Sequence, residues 1–165
     1  MELELEDIQG YIVRGYKYMM HSRYMLLNVT DAALAKKFIK NNVGDSTNVT
    51  NHPTTHCWNI ASTAPGLRAL GMAQDNLDNF TREFREGMTT EHRQRLLGDF
   101  DSSAPGNWRW GGPKNDEVHI LLMVFGANKE IAFNYADQLK QQFLNSGLKE
   151  IFCVDGQTLP YNKEH

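Results

Sequence analysis

The sequence predicts an α+β fold: a four-stranded antiparallel sheet in the split βαβ, ferredoxin-like order, with extra helices inserted after the second strand. Three observations predict it. Residues 118–125 form a run of eight that is apolar except for His119. The run follows a polar loop ending in Pro113-Lys114-Asn115-Asp116-Glu117 and gives way to Gly126. A short apolar run with such boundaries reads as a strand buried on both faces. Second, two strand patterns are each followed by a helical one, 24–29 by 32–40 and 118–125 by 129–145. Third, a further strand pattern closes each unit, at 57–62 and at 150–154, giving the order β-α-β-(helices)-β-α-β.

Taken in order, residues 1–23 lack clear periodicity apart from Tyr11-Ile12-Val13, which Gly10 and Gly15 bracket. They read as an ordered arm with turns, preceding a single ferredoxin-like domain over 24–165. Thr30 or Asp31 caps the helix 32–40, whose Leu34, Phe38 and Ile39 share a face. Residues 41–55 are polar, contain Gly44 and Pro53, and form a loop. After strand 57–62, Thr63 or Ala64 caps a helix with Pro65 in its first turn, running to Leu70 and ending at Gly71. A helix over 76–85 carries Leu77, Phe80 and Phe84 at helical spacing and stops at Gly87. A short helix spans 89–97. Residues 98–117 have no period and hold Trp108 and Trp110; a structureless stretch of that length is often functional or interfacial. The helix 129–145 has a broad apolar stripe of Ile131, Phe133, Tyr135, Ala136, Leu139, Phe143 and Leu144, with Gly147 as its C-cap.

The helices 32–40 and 129–145 cover one face of this sheet. No remaining element is evident for the other, yet 24–29 and 118–125 are apolar on both sides. Apolar surface left wet costs about 25 cal/mol per Å², and large exposed patches mark interfaces. The open sheet face is therefore expected to pack on another sheet.

A chain of 165 residues is one domain, burying roughly 70% of its unfolded surface. The net charge is −3, with signs interspersed and no basic stripe, which argues against nucleic acid or an anionic membrane as partner. No apolar stretch approaches a membrane span. The acidic start, Met1 to Gly10, has no basic or apolar leader character, so a cytoplasmic location is expected. The three Asn-x-Thr triplets, at Asn28, Asn48 and Asn79, then carry no glycan. Cys57 and Cys153 lie in strand contexts and read as two buried free thiols.

Several segments resemble dye-decolourising (DyP-type) haem peroxidases. They are Asp7-Ile8-Gln9-Gly10 with Arg14-Gly15-Tyr16, and Trp58-Asn59-Ile60-Ala61 followed by Thr63-Ala64-Pro65-Gly66-Leu67-Arg68-Ala69-Leu70-Gly71. Glu83-Phe84-Arg85-Glu86-Gly87-Met88, Leu97-Gly98-Asp99, Trp108-Arg109-Trp110-Gly111-Gly112 and Val118-His119-Ile120-Leu121-Leu122 continue the series in register. The resemblance implies two ferredoxin-like halves with facing sheets, a dimeric α+β barrel type of architecture of which this chain is one half. It implies haem and hydrogen peroxide chemistry on dyes and phenolics for the complete protein. It places the haem in the C-terminal half, with a Gly-x-x-Asp-Gly motif supplying the distal acid and an Arg and a proximal His beyond. The chain ends at Lys163-Glu164-His165, near where that motif is expected, and Asp155-Gly156 lacks its first Gly. The resemblance thus covers the N-terminal half, no catalytic, cofactor-binding or metal residue is carried over, and the chain alone is expected to bind no haem and to be inactive.

A haem peroxidase needs a supported axial ligand, a distal acid/base and a charge stabiliser. His119, mid-strand among apolar neighbours, reads as an axial ligand or, more simply, as a core histidine with a backbone hydrogen bond. His52, His56 and Cys57 have a metal-like spacing but no obvious convergence. His21, His92 and His165 read as solvent-facing. Cys57 and His56 point to opposite sides of a strand, which disfavours a nucleophile–base pair. Ser102-Ser103 lies in a loop without an elbow motif, and Gly66, Gly71, Gly111 and Gly112 form no phosphate-cradling pattern. Trp108, Arg109 and Trp110 fit either a docking loop or a loop folded on its own helices. Arg14 and Arg68 fit structural salt bridges. The expected partner is a second ferredoxin-like half, or a second copy meeting the open sheet face. A small binding or sensor module that dimerises through that face is the alternative.

Overall fold

The computed structural model describes residues 4–13, 15–43 and 47–157; Arg14, Gly44 and His165 lie outside the described residues. A 3-10 turn, Leu5–Asp7, and a four-residue helix α1, Gly10–Val13, precede β1, His21–Val29. Helix α2 is Ala32–Asn42 and β2 is His56–Ser62. Four short helices follow: α3 Ala64–Ala69, α4 Gln74–Leu77, α5 Arg82–Glu86 and α6 Glu91–Leu97. Strand β3, Ile120–Gly126, helix α7, Lys129–Phe143, and β4, Leu148–Gln157, complete the chain order.

The strands form one sheet in the order β2-β3-β1-β4. Every adjacent pair is antiparallel, with a register shift between Leu26 and Leu27 where β1 meets β4. This is the α+β, ferredoxin-like topology read from the sequence. The two most apolar strands, β1 and β3, take the centre, flanked by β2 and β4.

One face carries the main core. Met25, Leu27, Trp58, Ile120, Leu122 and Val124 pack against Ala35 and Phe38 of α2 and Ala136, Leu139 and Phe143 of α7. Phe38 and Phe143 meet edge to face, with ring centroids 6.3 Å apart. The buried stripe of α2 runs through Ala35 and Phe38, while Leu34 is exposed. Position 34 lies one residue ahead of Ala35 on the cylinder, so a small residue takes the close approach to the sheet instead. Asp31 caps α2, accepting from the N–H groups of Ala33 and Leu34 at 2.9 and 3.0 Å. Asn128 caps α7 in the same way through Ile131 N–H.

Four further expectations change. Strands β1 and β4 run past their apolar centres, from His21 and to Gln157, because ladder pairing continues into polar residues. The expected helix 76–85 is two helices, since the Thr81 hydroxyl accepts from Phe84 N–H and begins a new turn. Residues 98–117 contain two 3-10 turns, Asp101–Ser103 and Pro105–Asn107. Cys153 is exposed on edge strand β4, whereas Cys57 is buried.

The connection between β2 and α3 fixes the end of the sheet nearest β3's start. Thr63 Oγ1 donates to Val118 O at 2.7 Å and accepts from Gly66 N–H at 3.0 Å, so one hydroxyl caps α3 and ties it to β3. A Cβ on Gly66 would overlap His119 O, so the helix reaches this position because residue 66 has no side chain.

Candidate functional site

The second face of the sheet is the surface that function was expected to use. Its side chains are Ser22, Tyr24 and Leu26 of β1, Leu121, Met123 and Phe125 of β3, and Cys57, Asn59 and Ala61 of β2, as the register requires. It is apolar, but the chain itself roofs part of it. Met19, Cys57, Met123 and Phe125 form a second buried cluster, with Tyr16, Tyr24 and Leu121 packed against it. Tyr11 stacks on Phe125 at 5.4 Å, and Tyr16 lies 4.9 Å from the same ring. The expectation of an uncovered face is thus corrected: the segment before β1 has too few apolar residues for a periodic element, yet enough aromatics to cap Phe125. Tyr24, Leu121 and Phe152 stay half-exposed and Val154 is exposed, so the cover is incomplete.

What seats this arm is polar. Residues 8–10 pair with 47–49: Gly10 N–H donates to Thr47 O at 2.9 Å, and Val49 N–H to Ile8 O at 2.8 Å. The Gln9 side chain then clamps edge strand β2. Its Nε2 donates to Ile60 O and its Oε1 accepts from Ile60 N–H, both at 2.7 Å. One amide thereby satisfies both backbone groups that a neighbouring strand would take. A Cβ on Gly10 would sit 2.9 Å from the Tyr16 hydroxyl and 3.0 Å from Asn48 O, which explains the glycine after Gln9. Tyr16 donates its hydroxyl to Asn59 Oδ1 at 2.7 Å, and Asn59 Nδ2 donates to Thr47 O at 2.8 Å. Asn59 is 0% exposed and fully hydrogen-bonded. Sequence reading took Gln9 and Asn59 as motif positions without a role; a buried amide in an apolar strand was the available signal.

Below the arm, Cys57 Sγ donates to Met19 Sδ at 3.5 Å. Burial pushes the Cys57 thiol up to about 11, against weaker opposing hydrogen bonds to Thr47 and Tyr16. It is therefore a protonated, unreactive thiol at neutral pH.

His119 is 7% exposed, and both of its ring nitrogens are engaged. Nδ1 accepts from Val29 N–H at 2.9 Å, which places the ring proton on Nε2, 3.0 Å from Glu117 Oε2. Its backbone N–H donates to Leu27 O, and its carbonyl accepts from Thr63 N–H and Ser62 Oγ. His119 joins β1, β3 and α3 and has no nitrogen left for a metal. His56 is exposed against the Tyr135 ring at 4.2 Å, on the opposite face from Cys57. His52 and His92 are exposed and His21 is half-buried at the start of β1. Among the described residues, no three His, Cys, Asp or Glu converge as a metal site.

The tryptophan loop divides. Trp108 Nε1 donates to Ser103 O at 2.8 Å, so that ring is folded on its own loop. Arg109 lies 5.5 Å from the Phe152 ring on β4, and Trp110 is exposed. Arg68 is exposed and makes no ion pair among the described residues, contrary to the salt bridge expected, because α3 turns it outward.

Two open clefts flank the arm. One, about 390 Å³, is lined by Tyr16, Met19, Ser22, Tyr24 and Phe125; the other, about 440 Å³, by Tyr16, Tyr18 and His52. Among the described residues, neither lining contains an arginine or a carboxylate, and the first has no histidine. The described residues do not fit a haem: no supported axial ligand, distal acid and cation face one cavity. No helix among them is long and apolar enough to cross a membrane.

Comparison with known proteins gives a coherent result. The model of a family described as the DyP dimeric alpha+beta barrel domain matches residues 7–160. No curated protein matches. Among solved structures, the chain is similar to a DyP-type peroxidase from Anabaena sp., with TM-score 0.82, 19% identity, and coverage of 95% of this chain and 36% of that one. It is also similar to a decolorizing peroxidase from Auricularia auricula-judae, with TM-score 0.78, 19% identity, and coverage of 97% and 35%. A dye-decolorizing peroxidase in complex with 2,6-dimethoxyphenol gives TM-score 0.76, 19% identity, and coverage of 98% and 36%. At such identity the likeness shows the fold, and the chain spans little more than a third of each solved protein.

Proposed function

Because this chain belongs to the DyP dimeric α+β barrel domain family, which it matches over residues 7–160, we propose that it is the N-terminal half of a DyP-type haem peroxidase. Its contribution is architectural. It supplies one sheet of a two-sheet core, organised as an arm, residues 1–23, ahead of a single domain, 24–165. The complete protein oxidises dyes and phenolic substrates with hydrogen peroxide, and its haem is held by the other half. This chain supplies no haem ligand, distal acid or peroxide-facing cation, and it is inactive alone. The chain works in the cytoplasm, without nucleic acid or membrane as partner, in keeping with its net charge of −3 and its two unpaired thiols.

The observation that carries this reading is the incompletely covered second face. Tyr24, Leu121 and Phe152 are half-exposed beside exposed Val154, on a sheet whose other face is already filled by helices. Leaving that strip wet costs about 25 cal/mol per Å², and a facing sheet packing at about 10 Å removes it.

The test is to co-produce this chain with the polypeptide encoded downstream of His165. The expected result is a one-to-one complex, with Tyr24, Leu121 and Phe152 losing hydrogen exchange on association. A downstream sequence without Gly-x-x-Asp-Gly and a later His, together with a stable homodimer of the chain by light scattering, contradicts the proposal.

A further inference from the structure

The arm before β1 is attached to the sheet in an unusual way. Its helix is four residues long, with Ile12 75% and Val13 61% exposed, and its apolar contacts are confined to Tyr11 and Tyr16 on Phe125 and to Met19 beside Cys57. The rest of its anchorage is a short chain of hydrogen bonds: the pairing of 8–10 with 47–49, the Gln9 clamp on Ile60, and the Tyr16 hydroxyl on Asn59. Segments with few buried apolar contacts populate the low-stability end of a fold and open without the rest. Directly beneath lies the Cys57 thiol, 3% exposed and in contact with Met19 of the same arm.

We propose that residues 8–13 and 15–20 form a releasable strap over the β2 edge and part of the second face, with the Gln9 side chain as its latch. Closed, the strap occupies Ile60 N–H and O and so blocks strand addition at that edge. Open, it bares Ile60 N–H and O on the β2 edge, Phe125 and Cys57 together, while β1, β3 and the helix-side core stay folded and Thr47 keeps its bond to Trp58 O. The strap belongs to this chain and does not depend on a second half.

Cys57 reports the opening. In the full chain carrying Cys153→Ser, which removes the exposed thiol, the labelling rate of Cys57 by a maleimide is measured alongside hydrogen exchange of the central β1 and β3 amides. Gln9→Ala removes two hydrogen bonds and is expected to raise the labelling rate about tenfold, with central-strand protection unchanged. Tyr16→Phe keeps the ring and loses one hydrogen bond; its expected rise is about threefold to tenfold. It decides the matter if Gln9→Ala does not fold. Labelling at the parent rate in the folded variants overturns the proposal. So does labelling that rises only in step with lost protection of the central strands, because the thiol is then exposed by global unfolding.

Discussion

At the scale of single residues, polar side chains buried in an apolar setting do most of the positioning. His119 accepts from the Val29 amide and faces Glu117 with its other nitrogen, so the ring works as a bridge between strands. Replacing His119 with alanine leaves Val29 N–H without its acceptor and opens a gap where β1, β3 and α3 meet. A loss of ~2–3 kcal/mol is expected, read as a lower urea midpoint at unchanged slope. Cys57 gives a prediction in pH. Burial lifts its thiol from 9.0 to about 11, so the folded chain keeps a proton that the unfolded chain releases above about 9. The unfolded state then binds fewer protons, and stability falls as pH rises from about 9 toward 11. Below that window the contribution is fully present. Cys57→Ala should show a shallower decline than the parent in urea melts across this range; equal slopes would mean that Cys57 is not the titrating group.

At the scale of elements, the central strands and the two long helices were legible because their period and length leave one reading. An eight-residue run apolar at odd and even positions is a two-sided strand, and β3 is one. Of the stripe expected for α7, Ala136, Leu139 and Phe143 lie against the sheet, whereas Leu144 is exposed just past the helix end. Phe143→Ala removes a ring that is 1% exposed and stacked edge to face on Phe38. The expected cost is ~3–5 kcal/mol, measured by chemical denaturation. What sequence pattern missed has physical causes. Thr81 is a helix starter as easily as a helix interior residue, and its side-chain bond to Phe84 N–H decides between them. The arm was read as turns because its anchors are a glutamine, a glycine and a tyrosine hydroxyl, none of which produces a period. Trp108 and Trp110 look alike in sequence. One donates to its own loop and the other faces solvent, a difference set by where the 3-10 turns fall.

At the scale of the whole molecule, one sheet has one complete helical layer and one partial cover. That asymmetry joins the fold to the proposed function. The arm and the Arg109 contact on Phe152 shield the margins of the second face, while Tyr24, Leu121 and Val154 leave a strip for a facing sheet. The same geometry supports the proposal that the haem is held by the other half. Among the described residues, the buried histidine, His119, is spent between Val29 and Glu117, and no arginine or carboxylate lines the clefts. The most direct measurement is a hemin titration of the 165-residue chain by itself, followed in the Soret region with peroxide turnover assayed in parallel. The expected result is a broad, non-saturating absorbance with no turnover above free hemin. A sharp band saturating at one hemin per chain, with peroxidase turnover, would contradict the assignment of this chain to structure and of the haem to the other half.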